Sequence, residues 1–272
     1  MPPLTLRDRG LGFVDDDPRH DLHDKYALKF AGAAWQASAV SKNRDVYLAV
    51  TRDQEQCNGC VGFSARLAQQ IAEAMARKAD GMDPRDTPEL SPFFAWYNSR
   101  GDADKTLNVG AQIREADTMA KRYGVCLDGA WPFEEVEGDY KRRLAIKPPA
   151  AAYEQAARHQ LLDAYRIPDG DVGGIQASLL AGHPVQFGFP VYDSFFDTPT
   201  DTGLVRYPWA GPFAGLHAVT AQDCDVVMAK DGAWIQNSWS NHFGKMGWCF
   251  FPVAALATAK DIWAYTQSER LD

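Results

Sequence analysis

No run of eighteen apolar residues occurs in the chain, so no membrane-spanning helix is expected and no membrane partner. Basic clusters are equally scarce. The densest, Lys141-Arg142-Arg143, is short enough for a solvated helix face, and the formal net charge is −8. A chain of that balance lacks the positive footprint of a nucleic-acid binder. Cysteine is sparse: Cys57, Cys60, Cys126, Cys224 and Cys249 make five, and an odd count cannot all pair within the chain. Cys57-Asn58-Gly59-Cys60 is the single Cys-x-x-Cys, with no second pair to complete a zinc site. His20 and His23 have no evident further ligands around them, so no metal and no cofactor are expected. The first residues, Met1 to Asp8, lack the apolar centre of a secretory signal. The cytoplasm is then the default location, with virion association or signal-independent export as alternatives. No internal repeat or low-complexity tract interrupts the chain.

What is present is enough apolar material, 46% of 272 residues, for one large domain or two packed lobes. Residues 1 to about 26 are polar and turn-rich, followed by an Ala-rich stretch to Val40. Val46–Val50 reads as a first strand. From Cys60 to Lys78, Phe63, Leu67, Ile71 and Met75 recur every four residues, which predicts an amphipathic helix. Ser91-Pro92 opens a second helix. A third runs from Ile113 to Tyr123 and stops at Gly124. Further helices are expected at about Ala151–Leu162 and Val172–Leu180. Beyond Gly182 the texture turns to strands, at Pro184–Tyr192, His217–Ala221, Val226–Ala229, Ala233–Gln236 and Gly247–Val253. Helices first and strands second suggest an α+β protein with a helical lobe and a sheet lobe.

Three segments carry chemistry. In the first, a turn-rich stretch from Gln54 ends at Cys60, which begins the amphipathic helix. A thiol at a helix N-terminus is expected to ionise more easily, because the helix dipole and the unsatisfied N–H groups favour a thiolate. In the second, His217 opens the apolar run His217-Ala218-Val219, so its ring sits on a rigid element. In the third, Asn237-Ser238-Trp239 supplies an amide oxygen that can orient an imidazole, with Trp239 able to shield that hydrogen bond from water. Taken singly, each has an ordinary structural reading: a small core cysteine, a satisfied histidine, a turn asparagine.

In order and content these segments resemble the papain family of cysteine proteases. Gln54, Cys60, Phe63 and Ser64 hold the places of its nucleophile motif, His217-Ala218-Val219 those of its histidine strand, and Asn237-Ser238-Trp239 is its asparagine motif outright. Phe243–Trp248 is similar to the glycine-rich sequence that follows. The separation of Cys60 from His217 exceeds the roughly 130–150 residues usual for the family, a difference that surface insertions absorb at little cost. Ser91–Asn98, Lys121–Cys126, Trp131-Pro132-Phe133 and Ile175–Phe196 resemble bacterial and phage branches.

The resemblance implies a two-lobed papain-like fold, with a helical left lobe, a β-sheet or barrel right lobe and the cleft between. It implies Cys60 as nucleophile, His217 as base, Asn237 as its orienter and Gln54 as a side-chain donor to the oxyanion. Trp239, Gly59 and Ala218 would support the cleft, and the substrate would be a peptide or protein. Val61 replaces the family's usual Trp, which changes the cleft wall, and Cys57 is expected to be a free thiol. The expected layout is a helical lobe over 45–170, a β-rich lobe over 171–272 and an N-terminal extension over 1–44 that is unlike the family's longer pro-segment but, from its position and partly apolar composition, is expected to cover or regulate the cleft. Two rivals share these residues: a structural or interaction component of a phage particle or secretion apparatus on the same scaffold, and a transferase passing the acyl group to an amine.

Overall fold

The computed structural model describes residues 5–16, 30–134 and 138–268. His20 and His23 lie outside the described residues. Helix α1 (Asn43–Val46) is one turn. Helix α2 (Cys60–Ala79) is the long central helix, and its first fifteen residues are all buried. Helix α3 (Pro92–Ser99) starts on a Ser91 cap whose hydroxyl accepts from the Phe94 N–H, with Pro92 in the first turn. Helix α4 (Ile113–Tyr123) ends at Gly124, whose φ of 75° few other residues tolerate. Short helices α5 (Asp139–Arg143) and α6 (Ala150–Ala156) complete the helical side. Helices α7 (Val172–Leu180), α8 (Asp193–Phe196) and α9 (Val253–Leu256) lie among the strands in sequence. Among the described residues no helix is long and apolar enough to cross a membrane.

The strands are β1 (Leu161–Ile167), β2 (Val185–Tyr192), β3 (Phe213–Val227), β4 (Lys230–Gln236), β5 (Trp248–Pro252) and β6 (Lys260–Ser268). They form one antiparallel sheet in the order β1-β6-β2-β3-β4-β5. The α+β arrangement is as expected. One core gathers Phe187, Phe189, Phe195, Trp239 and Phe251 within the sheet lobe. A second joins the start of α2 to the sheet through Cys60, Val61, Ala65, Ala218 and Tyr265. The start of α2 therefore butts against β3 and β6.

Four details depart from the expected elements. Residues 46–50 do not pair as a strand. Tyr47 and Ala49 point inward and Leu48 and Val50 outward, as in a strand, but side chains serve the backbone: Gln222 Nε2 donates to the Tyr47 carbonyl at 2.6 Å and Gln236 Nε2 to that of Ala49 at 2.9 Å. The helix expected to reach Leu162 stops at Ala156. His159 there is held by Glu73 and by the Val125 N–H, and Leu161 already starts β1, which falls within the expected helical stretch. The two strands expected at 217–221 and 226–229 are one continuous β3, because Asp223 at its bulge is bonded by Ser41, the Asn43 N–H and Arg44. Strand β6 was not anticipated. Its Ile262, Trp263, Ala264 and Tyr265 are all buried, so no alternation announces it.

Candidate active site

Cys60 is the first residue of α2, with Gly59 at its N-cap. His217 lies on β3 beside Ala218, and Asn237 follows directly after β4, the next strand of the sheet. Cys60 packs in one buried cluster with Ala218, which places the start of α2 against the strand that carries His217. His217 Nε2 lies 2.8 Å from Asn237 Oδ1. That oxygen also accepts from the Ser238 N–H at 2.8 Å, so it is an acceptor, and Nε2 must carry the hydrogen. In the neutral ring Nδ1 is then the lone pair left to take a proton, and Nδ1 makes no hydrogen bond among the described residues. Trp239 stacks on the imidazole with ring centroids 4.7 Å apart and is itself fully buried, with Phe195, Phe196 and Phe243 behind it. Water is thus kept from the His217–Asn237 bond.

Gln54 Nε2 points toward the same region. Its amide is fixed from behind, since Ser238 Oγ donates to Oε1 at 2.5 Å and the Gln54 N–H donates to the Ser238 carbonyl at 2.8 Å. Ser238, read from sequence only as the middle of a motif, thus ties the Gln54 loop to the Asn237 loop. A hydroxyl between two singled-out residues was the available signal.

The site is covered. Residues 5–16 form a strap across Cys60. Thr5 and Asp8 close a turn at Leu6–Asp8 through mutual hydrogen bonds. Arg7 pairs with Asp193 at 2.9 Å, and Arg9 pairs with Asp53 at 2.8 Å in a largely buried position. Gln54 Nε2 donates to the Gly10 carbonyl at 2.9 Å, and the Gly12 N–H donates to Cys60 Sγ at 3.3 Å. The Ala111 N–H donates to the Gly12 carbonyl and the Val14 N–H to the Ala111 carbonyl, both at 2.9 Å. The Phe13 ring is buried over Gly188, where any Cβ would come within 2.1 Å of it. Gly12 is needed as closely: a Cβ there would meet the Asn58 carbonyl oxygen at 1.8 Å. Residues 33–41 run instead along the sheet lobe, with Gln36 bonded to Gln176 and Ser38 to Asp231. The expectation of a covering N-terminal extension did not single out Gly10-Leu11-Gly12-Phe13, because their partners, Gln54, Cys60 and Ala111 among them, lie far along the chain.

Burial reverses the electrostatics expected of a helix-start thiol. Cys60, His217 and Gln54 are fully buried. Burial raises the Cys60 thiol to about 11, outweighing the N–H groups of Ala218 and Gly12 that favour a thiolate. Burial also lowers His217 to about 4, against the pull of its bond to Asn237. In this covered form Cys60 is a neutral thiol and His217 a neutral imidazole. Cys57 is buried as well, its thiol pushed well above the usual range, and no cysteine is disulfide bonded. Among the described residues no three His, Cys, Asp or Glu side chains converge as a metal ion would require.

Residues 36–255 match the family model of the papain family cysteine proteases. An uncharacterized peptidase C1-like protein of Acanthamoeba polyphaga mimivirus is 31% identical over 227 residues, 78% of this chain and 68% of that protein. A gut-specific cysteine proteinase of Caenorhabditis elegans is 22% identical over 224 residues, 74% of this chain and 62% of that protein. Among solved structures, xylellain, a cysteine protease from Xylella fastidiosa, superposes with a TM-score of 0.75 at 22% identity, over 100% of this chain and 99% of that one.

Proposed function

Because this chain belongs to the papain family of cysteine proteases and is a cysteine peptidase acting on peptide or protein substrate, we propose that Cys60 is its nucleophile and His217 its base, with Asn237 as orienter and Gln54 as an oxyanion donor. The His217 Nε2–Asn237 Oδ1 bond carries the assignment, since it leaves Nδ1 as the acceptor in a ring whose strand packs against the start of α2. The steps follow from the groups present. Nδ1 takes the thiol proton, and the thiolate attacks the scissile carbonyl. Gln54 Nε2 and the N–H groups at the start of α2 hold the oxyanion. The His217 proton passes to the leaving amine, and water, deprotonated by His217, releases the acyl group from sulfur. Gln54→Ala is expected to lower kcat by roughly 10²–10³-fold, the usual cost of losing one oxyanion donor. Steady-state kinetics on a fluorogenic peptide check this; an unchanged kcat would remove Gln54 from the mechanism.

The covered form supports a regulatory role for the N-terminal extension. The strap occupies the Gln54 donor with the Gly10 carbonyl and offers the sulfur an N–H, not a carbonyl carbon, so it blocks the site without being placed for cleavage. Uncovering should depend on pH. Under the strap, His217 stays neutral down to about pH 4, whereas a solvated ring regains the ordinary value near 6.5. The uncovered state then binds more protons between those limits, and acidification from pH 7 toward 4 shifts the equilibrium toward it. Alkylation of Cys60 by a thiol-directed reagent, corrected for the reagent's own pH dependence, should reach a larger accessible fraction at pH 5 than at pH 7. An accessible fraction that falls on acidification contradicts this.

We also read the chain as nearest in character to bacterial and phage members. Its Ser91–Asn98 and Ile175–Phe196 segments and the full-length superposition on the Xylella enzyme support that placement.

A further inference from the structure

A chain of buried polar groups links the first turn of α2 to β2, β6 and α4. Ser64 Oγ donates to the Cys60 carbonyl at 2.8 Å. Gln186 Nε2, on β2, donates to the Val61 carbonyl at 3.1 Å and to Ser64 Oγ at 2.7 Å. Gln186 Oε1 lies 2.7 Å from the Tyr265 hydroxyl on β6, and that hydroxyl also contacts Asp117 Oδ1 on α4. Thr220 of β3 donates to the Ser64 carbonyl at 2.9 Å. Ser64, Gln186, Tyr265 and Asp117 are all buried.

The hydrogens can be assigned. Both Gln186 Nε2 hydrogens are committed, one of them to a carbonyl that can only accept, so the amide cannot be flipped. Oε1 therefore needs a donor, and the single hydrogen of the Tyr265 hydroxyl is the one in reach. The contact between Tyr265 and Asp117 must then be supplied by a hydrogen on Asp117, which makes that carboxyl neutral. Burial independently raises Asp117 to about 8. Every hydrogen bond in the chain points one way, from Asp117 through Tyr265, Gln186 and Ser64 to the Cys60 carbonyl.

Cys60 and His217 stand on different lobes, and a shift of about 1 Å between reacting groups can cost on the order of 10²-fold in rate. We propose that Asp117, Tyr265 and Gln186 are positioning residues that hold the first turn of α2, and with it Cys60, in register with the His217 strand. This rests on the assignment of Cys60 as nucleophile.

The test is kcat and KM of the full-length chain on a fluorogenic peptide, with Cys60→Ala alongside and thermal melts to verify folding. Tyr265→Phe should lower kcat roughly ten- to hundredfold with KM within about twofold. Asp117→Asn, whose amide can still donate to Tyr265, should hold kcat near the parental value, while Asp117→Leu should match Tyr265→Phe. If Tyr265→Phe does not fold, the contrast between the two Asp117 variants decides. A parental kcat in Tyr265→Phe or Asp117→Leu, or an equal loss in both Asp117 variants, overturns the proposal. Activity surviving in Cys60→Ala would instead overturn the nucleophile assignment.

Discussion

Cys60→Ala is expected to lower peptide hydrolysis by roughly 10⁴-fold or more, since a nucleophile that acts as a unit with its base takes nearly all the covalent chemistry with it when removed. The fold should tolerate the change. Cys60 starts α2 without capping it through its side chain, and the helix is held by the packing of Val61, Ala65 and Ala68 and by the Ser64 and Gln186 bonds to its first carbonyls. Cys57→Ala provides the contrast. Cys57 is buried in a separate cluster with Phe63, Phe93 and Trp96, so its loss should cost stability and leave turnover within a few-fold. Single-turnover and steady-state assays on both variants separate the two outcomes. Comparable losses in both would mean that Cys60 acts through packing. The same comparison disposes of the scaffold rival, because a structural component has no turnover to lose.

Deleting residues 1–14 is expected to raise the activity of the purified chain by roughly 10²-fold or more. The estimate starts from Phe13. Burying a phenylalanine ring is worth about 1.5–3 kcal/mol, and each 1.4 kcal/mol is tenfold in a population. Phe13→Ala alone should therefore increase the uncovered fraction roughly ten- to hundredfold. The deletion also removes the partly buried Arg9–Asp53 pair and the Gly10 and Gly12 bonds to Gln54 and Cys60, so its effect should be larger. Asp53 must then re-solvate, which the open cleft permits. Initial rates on a small peptide provide the check. An unchanged rate in both variants would show that the strap is not what limits access. The strap peptide added back in trans should restore inhibition.

Much of this was legible from residues whose signals are local. The four-residue spacing of Phe63, Leu67, Ile71 and Met75 located α2, and Gly124 marked the end of α4. Of the residues singled out by motif, His217 bonds Asn237, and Gln54 and Cys60 are both bonded by the strap at Gly10 and Gly12. What escaped depends on partners distant in the chain. Residues 47–50 have the alternation of a strand, but only the folded chain shows that Gln222 and Gln236 serve their carbonyls in place of a neighbouring strand. Strands 217–221 and 226–229 read as separate, because the groups that hold Asp223 between them, on Ser41, Asn43 and Arg44, are remote in sequence. The thiol at a helix start read as an easily ionised group, and the helix dipole argument was sound. It lost to desolvation in the folded site, where Gly12 and Phe13 of the strap mean little until they lie on Cys60 and Gly188.

The most direct measurement is the site and rate of modification by a thiol-directed epoxide, mapped by mass spectrometry, on the full-length chain and on the chain lacking residues 1–14. The predicted result is a single adduct on Cys60 that forms slowly in the first and roughly 10²-fold faster in the second, with Cys57, Cys126, Cys224 and Cys249 untouched in their buried positions. Equal labelling of all five thiols, or a Cys60 rate indifferent to the strap, would contradict a peptidase whose nucleophile is Cys60 and whose site is closed by its own N-terminus.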